Sequence, residues 1–134
     1  MNVEKRLYEE AVALVEKRYP IGWGGAAAMY TIDRKILTSV SPEIINASTE
    51  LCIETGAILE AHKLDTQITH SICVVRDEEE ADYKILTPCG ICQERLFYWG
   101  PKVKVGIYTP EGEILYKTLE EVQPYHWYRA YREK

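Results

Sequence analysis

The apolar segment 69–75, THSICVV, sets the strongest limit on how this chain folds. It is short, bounded by polar residues and rich in β-branched side chains, which predicts a buried strand. Helical spacing of apolar residues precedes it twice, in residues 2–18 and again from about residue 51. Strands that alternate with helices predict an α/β domain in which helices cover both faces of one sheet.

Shorter patterns predict the remaining elements. Further strand segments are predicted at residues 26–31, 35–40, 83–86, 103–108 and 114–117, and a short helix is predicted after Cys89. With 134 residues, the chain has the length of a single domain spanning 1–134.

Charge and hydropathy exclude several function classes. The net charge of -5 argues against binding to a nucleic-acid backbone, which requires a basic surface. No apolar run approaches the roughly 18–20 residues that span a bilayer, so no membrane association is predicted. The charged, amphipathic start does not resemble a secretory signal, and a cytoplasmic protein with a small-molecule or protein partner is expected.

The four cysteines are the residues most suggestive of chemistry, because thiols in a reducing compartment more often bind metal than form disulfides. Cys89 and Cys92 have the Cys-x-x-Cys spacing behind a proline and provide two ligands. Cys52, at a predicted helix start, is the strongest third ligand, since helix N-termini favour anions. Cys73 lies inside the predicted strand, which favours a core thiol. A catalytic zinc site would leave the fourth position open.

Glu54 follows Cys52 by two residues, where a carboxylate can lie just outside the ligands. Cys52-x-Glu54 together with Pro88-Cys89-Gly90-Ile91-Cys92 resembles the zinc signature of the cytidine deaminase family, in its short, three-cysteine, homotetrameric form. The resemblance extends from about residue 5 to 128. It implies a three-layer α/β/α fold with a central mixed sheet of about five strands. It also implies one zinc ion per subunit on the three cysteines, with Glu54 as the general acid and base.

Weaker matches suggest substrate-binding residues. Glu43 lies nine residues before the first cysteine ligand, where the family has a carboxylate that holds the ribose. Ser41 replaces the usual Asn of that loop, and Asn46 is a candidate to supply the missing amide. Trp127 matches the aromatic residue near the end of short family members, and Trp23 and Trp127 are candidate lids over a base.

The resemblance implies hydrolytic deamination of a cytosine-type nucleoside, cytidine or deoxycytidine, by a homotetramer or dimer with active sites at subunit interfaces. One alternative is a modified nucleoside such as blasticidin S, since Ser41 replaces Asn and Thr55 replaces the Arg that often follows the catalytic Glu. Arg95 is a candidate to supply that positive charge. The alternative from another class is a structural zinc protein in which Cys73 or another group closes the fourth position.

Overall fold

A six-stranded mixed sheet forms the centre of the computed structural model, which describes residues 1–132. The strands are β1 (Gly24–Thr31), β2 (Ile36–Ser39), β3 (Ile68–Arg76), β4 (Lys84–Ile85), β5 (Lys104–Gly106) and β6 (Tyr116–Thr118). The helices are α1 (Val3–Arg18), α2 (Thr55–Lys63), α3 (Gly90–Leu96), α4 (Leu119–Val122) and α5 (Arg129–Arg132). The last two residues of the predicted domain, 133–134, lie outside the described residues.

The strand order is β2-β1-β3-β5-β6, and the two-residue β4 pairs with the far end of β3. Only β3 and β5 run parallel among the described strand pairs; the other pairs are antiparallel. This arrangement confirms the predicted α/β class and its mixed sheet. Among residues 1–132, no helix is long and apolar enough to cross a membrane.

Side-chain alternation along β3 divides the core into two layers, one on each face of the sheet. Ile72 and Val74 face α1, where they pack in one cluster with Leu7, Ala11 and Val15. The opposite cluster contains residues of α2 and α3, with the metal-motif residue Cys92 fully buried in it. The strand alternation therefore leaves Cys73, between Ile72 and Val74, on the side opposite α1.

Helix α2 begins later than its apolar spacing predicts. The expected start was about residue 51, but the helix begins at Thr55, and Cys52 lies in the turn before it. The Thr55 N–H donates to the Cys52 carbonyl at 3.1 Å, and the Ser39 hydroxyl donates to the Ile53 carbonyl at 2.7 Å. These contacts hold residues 52–54 as a turn anchored on β2, which apolar spacing cannot distinguish from a first helical turn.

The β1–β2 hairpin is closed by the side chain of Asp33. One oxygen of this carboxylate accepts hydrogen bonds from Thr31 Oγ1 at 2.5 Å and Thr66 Oγ1 at 2.7 Å, and the other lies 3.5 Å from Lys35 Nζ. The hydrogen bonds from Thr31 and Thr66 lower the pKa of Asp33 to about 2. Asp33 thus ties the hairpin to the residues that lead into β3.

We expect Asp33→Asn to lower the free energy of unfolding at neutral pH by removing a contribution that wild type loses in acid. A depressed folded-state pKa stabilises the protein above the ordinary Asp pKa of about 4, and this contribution is lost as the pH falls towards about 2. Urea unfolding at pH 7 should show the variant to be less stable, and the difference should shrink between pH 4 and pH 2. Asp65→Asn is the control; an equal pH dependence in both variants would contradict the role of Asp33.

Candidate active site

Three cysteines from two parts of the chain meet on one side of the sheet. The ligand atoms of Cys52, Cys89 and Cys92 all lie within 4.8 Å of one another, and the Sγ atoms of Cys52 and Cys89 are 3.2 Å apart. Cys89 is the N-cap of α3 and Cys92 lies in its first turn, whereas Cys52 comes from the turn before α2. All three thiols are free of disulfides.

The donor set fits a zinc ion. Zinc–thiolate bonds of about 2.3 Å in a tetrahedron place sulfur atoms roughly 3.8 Å apart, close to the separations in this cluster. Thiolates are soft ligands that favour zinc over magnesium or calcium. Within residues 1–132, no His, Asp or Glu joins the cluster as a fourth ligand. The arrangement therefore matches three protein ligands with a fourth position left for water or substrate.

The three thiols differ in their ease of ionisation. Burial raises the pKa of the Cys52 thiol and raises that of Cys92 further. Burial alone would also raise the pKa of Cys89, but hydrogen bonds from backbone N–H groups in the first turn of α3 and from the Cys52 thiol lower it. Three thiolates this close repel one another, so a cation among them is needed to keep all three ionised.

Glu54 lies directly before α2, two residues after Cys52, and only 5% of its surface is exposed. Burial raises the pKa of its carboxyl group. The residue lines the same cavity as Cys52 and Cys89. A carboxyl group in this position can exchange protons with a molecule held beside the cysteines.

The cavity at the cysteines has a volume of about 270 Å³. The most buried of its lining residues are Glu54 and Cys73, whereas Trp23 has 46% of its surface exposed. The remaining lining residues are Ser41, Glu50, Leu51, Cys52, Ile53, Leu86, Thr87 and Cys89.

Two hydrogen bonds hold the loop from Thr87 to Cys89 against the cavity. The hydroxyl of Thr87 accepts from the backbone N–H of Tyr108 at 2.9 Å. The carbonyl of Pro88 accepts from Nε2 of Gln93, a buried side chain of α3, at 2.7 Å. The loop is thereby fixed from the sheet side and from the helix side, which positions Cys89.

Arg95 connects the two helices that follow the cysteines. Its Nη1 donates to Thr55 Oγ1 at 2.9 Å, so a cation from α3 lies against the first residue of α2, next to Glu54 in the chain. The role of Arg95 as a replacement for the positive charge absent at position 55 stays a prediction.

Comparison with known proteins gives the family. No family model matches the chain. The crystal structure of the cytidine deaminase from Bacillus anthracis is 56% identical, covers 98% of this chain and 94% of its own, and superposes with a TM-score of 0.97. The chain belongs to the cytidine deaminase family. The members of this family are hydrolytic deaminases, so the predicted family, fold class and type of enzyme are confirmed.

More distant cytidine deaminases share the fold. The enzyme from Mycobacterium leprae is 23% identical, covers 92% of this chain and 99% of its own, and has a TM-score of 0.70. The enzyme from Burkholderia pseudomallei is 20% identical, covers 91% of this chain and 96% of its own, and also has a TM-score of 0.70.

In this member of the cytidine deaminase family, the residues predicted to bind substrate do not all line the cavity at the cysteines. Ser41 and Trp23 line the cavity at the cysteines. Glu43 does not line it, and its carboxylate lies 3.3 Å from Arg18 Nη2. Asn46 caps a short 3-10 helix by accepting from the Ser48 N–H. The roles of all four in substrate binding stay predictions.

Trp127 lines a different cavity. Its Nε1 donates to Glu94 at 2.6 Å, and the Nε2 of the adjacent His126 lies 2.8 Å from the other oxygen of Glu94. This larger cavity, of about 560 Å³, lies between α2, α3 and the C-terminal segment, and none of the three cysteines lines it. Trp127 therefore does not cover its own subunit's cysteines in this structure, and its role as a lid stays a prediction.

The sequence analysis did not predict three of the residues found at the site, which are Glu50, Gln93 and Cys73. It had assigned Cys73 to the core. Glu50 has an extended backbone and lies two residues before Cys52, a spacing at which extended side chains share one side. Alternation along β3 could likewise have placed Cys73 opposite the α1 face. No comparable local signal exists for Gln93, because its partner is a carbonyl in the preceding loop.

Proposed function

We propose that this protein hydrolyses the exocyclic C–N bond of a cytosine-type nucleoside, converting cytidine or deoxycytidine and water to uridine or deoxyuridine and ammonia. The observation that carries the proposal is the buried carboxyl of Glu54, which lines the same cavity as Cys52 and Cys89, two of the three clustered thiols. Membership of the cytidine deaminase family supports it.

Cys52, Cys89 and Cys92 are the proposed zinc ligands, and a zinc ion there would supply a Lewis acid that activates water at neutral pH. Glu54 accepts one proton of the attacking water and delivers it to N3 of the ring. It then accepts the remaining proton of the water-derived hydroxyl and delivers it to the departing amino group, so that the C–N bond breaks with release of ammonia. Its burial excludes bulk water, so the proton stays available on its carboxyl oxygen. The Cys89 N–H and the Thr87 carbonyl, on the fixed loop, are proposed to orient the base.

A modified cytosine nucleoside such as blasticidin S is a second candidate. Ser41, in place of the family's Asn, lies in the cavity itself and has a shorter reach and a single donor. Ser41 would therefore bind a sugar hydroxyl with a different geometry from that of the family's Asn.

A panel of cytidine, deoxycytidine, cytosine, 5-methylcytidine and blasticidin S tests the function. The zinc-loaded protein should turn over at least one nucleoside, with a loss of ultraviolet absorbance matched by one ammonia released per product. A boiled sample and free zinc serve as controls. If no member of the panel is deaminated, the proposed substrate class is wrong.

We further propose that the protein assembles as a homotetramer or dimer with active sites at subunit interfaces. The C-terminal segment exposes large aromatic side chains, and its Trp127 lines a cavity to which none of the three cysteines contributes. Exposed aromatic residues are typical of surfaces that become buried on assembly.

A further inference from the structure

We propose that Gln93 is a positioning residue that fixes Cys89 from both sides, so that its thiol is placed for zinc and its N–H for the base. Gln93 acts through the two peptide groups that flank Cys89, and no contact with substrate or metal is assigned to it. This inference rests on the proposed function, because Cys89 is there both a zinc ligand and a donor to the base.

Gln93 binds the carbonyl groups on both sides of the Cys89 Cα atom. Its Nε2 donates to the Pro88 carbonyl at 2.7 Å, and its backbone N–H donates to the Cys89 carbonyl at 2.9 Å. One residue therefore holds both peptide planes that flank this Cα atom. Because those planes define the φ and ψ angles of Cys89, they also set the direction in which its thiol leaves the chain.

The bond to the Pro88 carbonyl also orients the Cys89 N–H. No peptide bond of residues 1–132 is cis, so this carbonyl and this N–H point in opposite directions within one planar group. The carbonyl is held by Gln93 of α3, which leaves the N–H directed away from that side chain. Without the bond, the peptide plane would be free to rotate and the N–H would lose its fixed direction.

The amide of Gln93 is buried inside one subunit and is only partly satisfied. Just 9% of the residue is exposed and Pro88 is buried as well, so the contact between them does not depend on assembly. The Oε1 atom is buried and has no partner among residues 1–132. A buried amide oxygen without a partner lowers stability, so packing alone would favour an apolar side chain here. What glutamine adds at this position is the Nε2 donor.

Gln93→Met tests the proposal, because methionine keeps the unbranched shape of the side chain but has no N–H donor. Its affinity for zinc, measured by competition with a chelating indicator, should be about 10–100-fold weaker than that of wild type. With zinc in excess, KM for cytidine should rise about tenfold while kcat changes by less than about threefold, because the base is bound less well.

Gln67→Met is the matched control. It makes the same change on an exposed side chain directly before β3, outside the cavity at the cysteines, and should match wild type in both measurements. Gln93→Asn keeps the amide but is one methylene shorter, which withdraws the donor from the Pro88 carbonyl. It should show the same two losses, and it carries the test if Gln93→Met does not fold.

The results separate this proposal from the proposed function. A folded variant of Gln93 whose zinc affinity or KM stays within about twofold of wild type would overturn the positioning role. So would equal losses in Gln67→Met. If wild type deaminates no nucleoside of the panel, the proposed function falls, and the zinc affinity of the variants alone then decides the role of Gln93.

Discussion

Glu54→Gln is expected to keep one zinc ion per subunit and to lower kcat for nucleoside deamination by about 10²–10⁴-fold or more. The carboxyl group of Glu54 is buried in the lining of the cavity, and glutamine preserves its shape but cannot take up or deliver a proton in its place. Ammonia release gives the rate, and metal analysis of the purified variant gives the zinc content.

The exposed Glu60→Gln variant is the matched control for this measurement and should keep the wild-type rate. Far-ultraviolet circular dichroism should be the same for all three proteins, because the substitution retains the volume of the buried side chain. A Glu54→Gln rate within about tenfold of wild type would show that Glu54 does not transfer the essential protons.

Replacing a predicted zinc ligand is expected to have the other large effect. Cys89→Ser should lose zinc and deamination together, because an alcohol is a far weaker ligand than a thiolate and Cys89 is the thiol whose surroundings most favour ionisation. Its side chain is exposed, so the substitution disturbs little packing. Zinc retention should be measured by dialysis against a chelating indicator.

Cys73→Ser distinguishes the catalytic from the structural interpretation of the metal. Cys73 is buried on β3 and lies outside the three-thiol cluster, so this variant should keep its zinc. A structural site closed by Cys73 would show the opposite result: zinc would be lost in Cys73→Ser, while Glu54→Gln would change nothing measurable. Zinc retained fully in Cys89→Ser would contradict the proposed ligand set.

Local patterns were sufficient for most of the fold. The apolar spacing of residues 2–18 and the β-branched run at 69–75 correspond to α1 and β3 within one or two residues. The local patterns failed at the start of α2, where the carbonyl of Ile53 accepts a hydrogen bond from the Ser39 hydroxyl of β2. Apolar periodicity records which face of a segment is buried, but not which partner binds its backbone.

The sequence by itself determined the family and the fold class, because a Cys-x-Glu and a Pro-Cys-x-x-Cys motif resemble the signature of that family, and it predicted the zinc ligands. Only the tertiary structure brings together Cys52 and Cys89, which are 37 positions apart in the chain and have their Sγ atoms 3.2 Å from each other. It also decided which carboxylates are paired: Arg18 engages Glu43, whereas Glu50, which lines the cavity at the cysteines, has no partner among residues 1–132. The physical reason is that motif spacing governs neighbours along the chain, whereas charge pairing depends on which elements pack together.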